Sequence, residues 1–314
     1  MEKKISNRVF AILIILHISI SFILAFALPN LQMNMVTNLL LSQSLIIIPG
    51  IIGIIMWSMN KDRTETWYQR LNFRKMKIST GLLTVVFTFL IMPLTTLVNV
   101  ISMLFVDNTV AGMSGMILEM PFFAMLFMMA IFGPFCEEFV FRGVIYAGYR
   151  RENATLGALL LSALLFGVMH MNLNQALYAF VIGIALALLV EATGSFWSAF
   201  ICHFIFNANS VCLMYLMNAL MPEEVEQSAS QPMLAEELYM MISVYMMIAL
   251  VSTALAVCLL VYMAKRENRV EKLYALLPKK SPKGNSLWSP SLIVGLVLGV
   301  GFIIFELVLT AIYM

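Results

Sequence analysis

The chain has 314 residues, of which 61% are hydrophobic and 11% are charged, and its mean hydropathy is +0.93. This composition excludes an ordinary soluble globular domain, because apolar residues far outnumber those available to face water. The formal net charge is only +2, and we expect no nucleic-acid partner.

Long apolar runs follow one another along the chain, and each is long enough to cross a hydrocarbon core about 30 Å thick. In chain order they cover residues 9–28, 35–57, 79–106, 121–148, 155–172, 174–193, 195–217, 239–263 and 290–313. The runs predict an all-α fold, a polytopic transmembrane helical bundle of about nine spans. Ala25-Phe26-Ala27 resembles a signal-peptide cleavage site, but the first run is longer than a typical signal sequence, so we expect a retained span.

The charged residues alternate by sign between the two sides of this predicted bundle. If the N-terminus is cytoplasmic, all 19 Lys and Arg residues fall at or toward the cytoplasmic side. The opposite loops carry only acidic residues, including Asp107 and Glu119 in one loop and Glu223 in another. By the positive-inside rule this pattern predicts a cytoplasmic N-terminus and an outer C-terminus. Together with the short loops, it indicates a multi-pass protein of a bacterial plasma membrane.

We divide the chain into three parts. Residues 1–120 form N-terminal transmembrane helices with a basic cytoplasmic loop, and residues 121–217 form a core that carries the polar motifs. Residues 218–314 comprise an acidic outer loop and two C-terminal helices. No internal repeat is visible, which disfavours a proton-coupled transporter.

Charged residues interrupt the fourth apolar run at Glu137, Glu138 and Arg142. A charge at the centre of a spanning helix costs roughly 2.5–3.5 kcal/mol, so such residues mark functional sites. Glu138 and Arg142 are four residues apart and share a helix face, which predicts a structural ion pair. Glu137 lies about 100° around the helix and points elsewhere, which makes it a candidate general base.

Two further polar motifs follow in the fifth and seventh runs. His170 ends the fifth run one turn after Phe166, and His203 and Asn207 share a face of the seventh. The depths of these residues along their helices are compatible with one cluster inside the bilayer. Together a carboxylate, two imidazoles and an amide can supply a base, a proton shuttle and oxyanion donors, a set suited to activating water against an amide.

Other polar residues of the apolar runs receive simpler interpretations. His17, in the first run, is interpreted as a hydrogen-bonded packing residue. Cys136 and Cys202 adjoin Glu137 and His203, which raises the possibility of a metal site, but small packing residues explain them better.

The three motifs, in this order, carry a family resemblance. Glu137-Glu138-x-x-x-Arg142, Phe166-x-x-x-His170 and His203-x-x-x-Asn207 are similar to the motifs of the CAAX-protease and bacteriocin-processing (CPBP, or Abi) family. That family includes the type II CAAX prenyl endopeptidases. The resemblance covers roughly residues 120–215.

The resemblance implies an intramembrane endopeptidase that cleaves a membrane-associated peptide or protein. Glu137 and His170 would activate water, His203 and Asn207 would stabilise the oxyanion, and Arg142 would orient the glutamates. Family members have also been called metalloproteases, and His170, His203 and Glu137 are a plausible ligand set for Zn²⁺ with an open position for water. Because no H-E-x-x-H is present, metal-independent catalysis is favoured.

Two other functional classes remain open from the sequence. One is a non-proteolytic membrane scaffold or bacteriocin-immunity protein that binds a membrane-protein partner and keeps the polar cluster as a structural element. The other is the proton-coupled transporter, which the lack of internal repeats disfavours. The sequence does not identify a substrate: peptide pheromones, bacteriocins, leader peptides and lipoprotein-linked processes all fit.

Overall fold

The computed structural model describes residues 2–28, 33–59, 66–152, 156–230, 233–277 and 286–313. Within these ranges the secondary structure is entirely helical. The predicted all-α, polytopic bundle is thereby confirmed.

Nine helices correspond one to one with the nine apolar runs. They are α1 (Glu2–Ala27), α2 (Met35–Ser58), α3 (Ile78–Ser102), α4 (Phe122–Glu152), α5 (Leu156–Met169), α6 (Leu173–Thr193), α7 (Phe196–Leu220), α8 (Ala235–Arg266) and α9 (Pro290–Tyr313). Short helices occupy Trp67–Arg70, Thr109–Gly112, Ser114–Leu118, Pro222–Ser230 and Val270–Tyr274.

The fifth predicted span differs from the others in length. Eight helices of the described chain are long and apolar enough to cross a membrane, whereas α5 has only 14 residues. At 1.5 Å per residue it is about 21 Å long, which is shorter than a hydrocarbon core of about 30 Å. It ends early because Met171 adopts a left-handed conformation with a φ of 56°. Asn172 then caps α6, accepting a hydrogen bond from the Gln175 backbone N–H at 2.8 Å.

The α5–α6 turn is held inside the bundle by polar contacts to α3 and its following loop. Asn174 donates from Nδ2 to Asn99 and to Ser102, each at 2.8 Å. The Thr109 backbone N–H donates to Asn174 Oδ1 at 3.2 Å. His170, at the start of this turn, therefore has a fixed position within the bundle.

The buried share of the residues differs between the helices. In the most hydrophobic part of α6, 61% of the residues are buried inside the protein, and in α4 the share is 44%. The corresponding share in α8 is 22%, and its side chains at Met247 and Leu250 are 75% and 76% exposed. An apolar surface of this kind is suited to lipid rather than water.

Helices from the two ends of the chain pack on each other and around this centre. α8 packs along α3, and α9 packs against α1. The three-part division of the chain stays a prediction.

Basic residues from separate segments meet at one end of the bundle. Arg150, at the end of α4, pairs with Glu191 near the end of α6, and Arg269 Nε donates to the Glu191 backbone carbonyl at 2.9 Å. Lys77, just before α3, donates to the Arg266 carbonyl at 2.8 Å. The clustering agrees with the alternating charge pattern, while the side of the membrane that this end faces stays a prediction.

Candidate active site

Both motif glutamates lie in a short α-helical segment between two irregular stretches of α4. Gly133–Glu138 is α-helical, whereas Leu126–Phe132 and Phe139–Tyr146 are π-helical. Such π-helical stretches frequently occur at functional sites, because the wider turn shifts side chains and frees backbone groups.

Glu138 lies at the centre of a buried polar group that joins α4, α6 and α7. Its Oε1 accepts hydrogen bonds from Arg142 Nη1 at 2.9 Å and from His203 Nδ1 at 3.0 Å. Arg142 Nη2 donates to the Gly183 carbonyl at 3.1 Å. The structure therefore contains the pair that the i,i+4 spacing predicts, and it adds His203 as a second partner of Glu138.

Phe166 packs between the charged group and both histidines of the site. The Arg142 guanidinium lies 4.5 Å from the centre of its ring. The His170 and His203 rings meet it edge-on, at centroid distances of 5.1 and 5.8 Å. A buried guanidinium over an aromatic face is stabilised by the ring quadrupole, so Phe166 supports three of the motif residues at once.

Hydrogen bonds at Nδ1 define which nitrogen of each imidazole remains available. His170 Nδ1 lies 2.9 Å from the Phe166 carbonyl, which can only accept, so Nδ1 carries the proton and Nε2 is left with its lone pair. His203 Nδ1 is taken by the Glu138 carboxylate, which again leaves Nε2 for other contacts.

His203 owes its position to the turn that precedes α7. Gly194 ends α6 in the left-handed conformation, with a φ of 71°, which glycine adopts without steric cost. Ser195 then caps α7 by accepting from the Trp197 backbone N–H at 3.2 Å. The turn reverses the chain direction, so that α7 runs back along the bundle. His203, two turns into the helix, then reaches Glu138.

Glu137 points away from this group. Its side chain is buried, and Oε2 has no hydrogen-bond partner within the described chain. The nearest ionisable partner is His203, whose Nε2 lies 3.8 Å from Oε2, which is too long for a hydrogen bond. The two adjacent glutamates thus occupy different environments: Glu138 is held by Arg142 and His203 through Oε1, although its Oε2 also has no partner among the described residues, whereas Glu137 lies 3.8 Å from its nearest ionisable neighbour.

Asn207 links α7 to the first π-helical stretch of α4. Its Nδ2 donates to the Met129 carbonyl at 2.8 Å. The side-chain amide has a second N–H and an acceptor oxygen, so this contact leaves hydrogen-bonding capacity for a ligand.

A single cavity of about 520 Å³ brings the open groups together. Glu137, His170, His203 and Asn207 all line it, whereas Glu138 and Arg142 do not. Its volume lies in the range of sites that hold a small molecule or a short segment of a larger one.

Residues of the flanking helices also line this cavity, and the motifs gave no sign of them. His17 on α1 has its Nδ1 3.1 Å from the Leu13 carbonyl. It makes the hydrogen bond that its interpretation as a packing residue requires, but it also lines the cavity. Gln43 on α2 does so too, which makes the first two helices part of the site.

Glu191 belongs to a second buried group that the motif analysis missed. Besides Arg150, it accepts from the Tyr146 hydroxyl at 2.8 Å. An acidic residue near the end of an apolar run, with arginines at the end of another, is a signal that the sequence offered. The group fastens α4 to α6 away from the cavity.

The described residues contain no group of three or more His, Cys, Asp or Glu side chains that could hold a metal ion. Cys136 and Cys202 are buried free thiols that do not line the cavity. Glu137, His170 and His203 share a cavity without forming such a group, so the zinc ligand set stays a prediction and we derive no catalytic step through a metal.

Fold and site together define a multi-pass helical membrane protein with a buried polar centre. The comparison with protein families refines this class. Residues 119–209, which include all seven residues of the three motifs, match the family model described as type II CAAX prenyl endopeptidase Rce1-like. The resemblance inferred from the motifs is confirmed for this segment.

One similar protein is YdiL of Bacillus subtilis (strain 168), which is provisionally named a membrane peptidase. The two are 29% identical over 83 residues, which cover 26% of this chain and 34% of YdiL. The chain thus matches about a third of that relative's length. No solved structure matches it.

Proposed function

We propose that this protein is an intramembrane endopeptidase that cleaves a membrane-associated peptide or protein with a glutamate- and histidine-activated water. The observation that best supports this proposal is that some motif residues line the cavity and others do not. Glu137 lines it with His170, His203 and Asn207, while the ion pair Glu138–Arg142 lies outside. The Rce1-like match over the same residues supports the peptidase class.

Each side chain has a defined part in the proposed reaction. Glu137 removes a proton from water, and His170, with its free Nε2, assists as a proton shuttle. The water oxygen bonds to the carbonyl carbon, and the oxyanion that forms accepts hydrogen bonds from an Asn207 N–H and from the Nε2–H of His203 in its imidazolium form, whose Nδ1–H is held by Glu138. The C–N bond then breaks as the proton passes to the leaving amine.

The geometry around His203 suits this assignment. Its Nε2 lies 3.8 Å from Glu137 Oε2, so the proposed base and the proposed oxyanion donor reach the same reacting peptide group. Glu138 holds the ring from the opposite side at Nδ1, and Arg142 holds Glu138. Glu138 and Arg142 act as positioning residues.

The bilayer and a peptide or membrane-protein substrate are the partners that follow from this activity. We propose the plasma membrane of a bacterium as the location, with the basic end of the bundle in the cytoplasm. Peptide pheromones, bacteriocins and leader peptides are the substrate classes that suit such a location.

A comparison of membrane peptidomes tests the proposal. Cells carry either the wild-type protein or Glu137→Gln at equal membrane levels, each with and without a chelator. We expect some peptides to form with the wild-type protein and not with Glu137→Gln. We expect these peptides to form equally well when the chelator is present. Formation that stops on chelation would favour the zinc mechanism instead.

The same experiment separates the peptidase from the scaffold or immunity protein. Glu137→Gln preserves the shape of the side chain while removing the base. If the cellular phenotype survives this substitution and no peptide changes, the protein acts by binding.

A further inference from the structure

Side-chain amides line the cavity from several helices. They belong to Gln43, Asn99, Asn108, Gln175 and Asn207. Four of these amides are engaged in hydrogen bonds to neighbouring residues. Gln43 is the exception, since it forms no hydrogen bond within the part of the chain that the structure describes.

The isolation of Gln43 is not explained by exposure to solvent. The residue is only 9% exposed, and its Oε1 is buried without a partner. A buried carbonyl oxygen that has lost its water and gained nothing carries the full desolvation penalty, so native proteins leave few of them unsatisfied. Gln43 lines the cavity, so a turn of its terminal amide would bring the oxygen to a bound molecule that supplies the missing hydrogen bond.

The carboxamide of Gln43 lies directly over Gly133 on α4. A Cβ atom at Gly133 would come within 3.3 Å of Gln43 Nε2, so the absence of a side chain there leaves room for the amide. Gly133 and Glu137 are four residues apart in one α-helical segment, so they share a face and are separated by about 6 Å along the axis. An extended peptide rises about 3.3 Å per residue, so this distance corresponds to about two residues.

We infer that Gln43 is a substrate-positioning residue whose carboxamide oxygen accepts a hydrogen bond from a backbone N–H of the peptide, about two residues from the scissile bond. The inference rests on the proposed peptidase function and adds a contact from α2, which lies outside the segment that matches the Rce1-like family. The group recognised is the N–H of an extended peptide backbone. Its side-chain sequence is left free, except that proline, which has no N–H, is disfavoured at that position.

Gln43→Met tests the inference, because methionine keeps the length of the side chain and removes both polar atoms. Ser44→Ala is the matched control: Ser44 is the next residue, bonds the Leu40 carbonyl of its own helix and does not line the cavity. Wild type, Glu137→Gln, Gln43→Met and Ser44→Ala are expressed as full chains, and membrane level, thermal stability and membrane peptidome are measured for each.

Peptides that depend on Glu137 are expected to fall about three- to tenfold in Gln43→Met and to stay unchanged in Ser44→Ala, as for the loss of one neutral hydrogen bond. With a synthetic peptide spanning a mapped cleavage site, KM rises by that factor while kcat changes little, because the contact is present before the chemical step. Proline at the proposed position of this peptide lowers cleavage by wild type but causes no further loss in Gln43→Met.

The outcomes that overturn the inference are distinct from those that overturn the peptidase function. If Glu137-dependent peptides form equally in Gln43→Met, ordered water alone satisfies Gln43 and the inference fails while the function stands. If Gln43→Met lowers thermal stability or membrane level, Gln43 is structural and the inference also fails. If no peptide depends on Glu137, the peptidase function fails, and the inference fails with it.

Discussion

The two adjacent glutamates give the sharpest stability prediction, because the structure assigns them opposite environments. Glu138 is completely buried and bonds both Arg142 and His203, which are 2% and 5% exposed. Glu138→Ala leaves a guanidinium buried without its counter-charge, and breaking a buried ion pair in this way costs about 3–5 kcal/mol.

Glu137→Gln is the matched comparison. Its Oε2 has no hydrogen-bond partner among the described residues, and His203 Nε2 lies 3.8 Å away, so substitution by a neutral amide removes a buried charge without breaking a hydrogen bond. Stability is expected to be unchanged or slightly raised. The two substitutions, at neighbouring positions of one helix, are therefore expected to have different effects on stability.

The assay is thermal unfolding of the purified full chain in one detergent. At roughly 2 °C or more per kcal/mol for a chain of this size, Glu138→Ala lowers Tm by about 6 °C or more, and Glu137→Gln does not lower it. Equal losses at both positions, or a loss at Glu137 alone, would refute the assignment of Glu138 as the structural partner.

Three further predictions concern residues that hold the site. Arg142→Lys keeps the charge but cannot bond Glu138 and the Gly183 carbonyl together, so unfolding assays should show a loss of about 1–3 kcal/mol, and an unchanged Tm would contradict this. Gly167→Ala places a Cβ 2.5 Å from the Ala176 carbonyl, which forces α5 from α6 next to His170; lower thermal stability and lower cleavage are expected, and normal values for both would disprove the close approach. Asn207→Ala removes a proposed oxyanion donor and the bond to Met129, so kcat should fall about 10²- to 10³-fold while Tm falls by only a few degrees; an unaltered kcat would exclude Asn207 from the chemistry.

Much of the fold was predictable because a run of apolar residues long enough to cross a bilayer also forms a helix there. The predicted span 290–313 corresponds to the helix Pro290–Tyr313, and 195–217 corresponds to Phe196–Leu220. The span 155–172 was too long, since hydropathy does not report the left-handed Met171 that ends α5 or the cap formed by Asn172.

The individual contacts of the site were predictable only where they are local in sequence. The Glu138–Arg142 pair follows from helical spacing, and it forms although Arg142 lies in a π-helical stretch. The bond from His203 to Glu138 joins residues 65 positions apart, and it depends on how α7 packs against α4. The same is true of Gln43, whose position over Gly133 no motif or periodicity records. The sequence of α2 indicates only an apolar span.

The most direct test of the central claim follows the oxygen of the attacking water. Purified wild type and Glu137→Gln are reconstituted in liposomes and given a peptide from the membrane peptidome in H₂¹⁸O. Wild type is predicted to release a product whose new carboxylate carries ¹⁸O, and Glu137→Gln is predicted to be slower by about 10²- to 10⁴-fold, the usual contribution of a general base. Equal rates of labelled product from both proteins would contradict the assignment of Glu137 as the base.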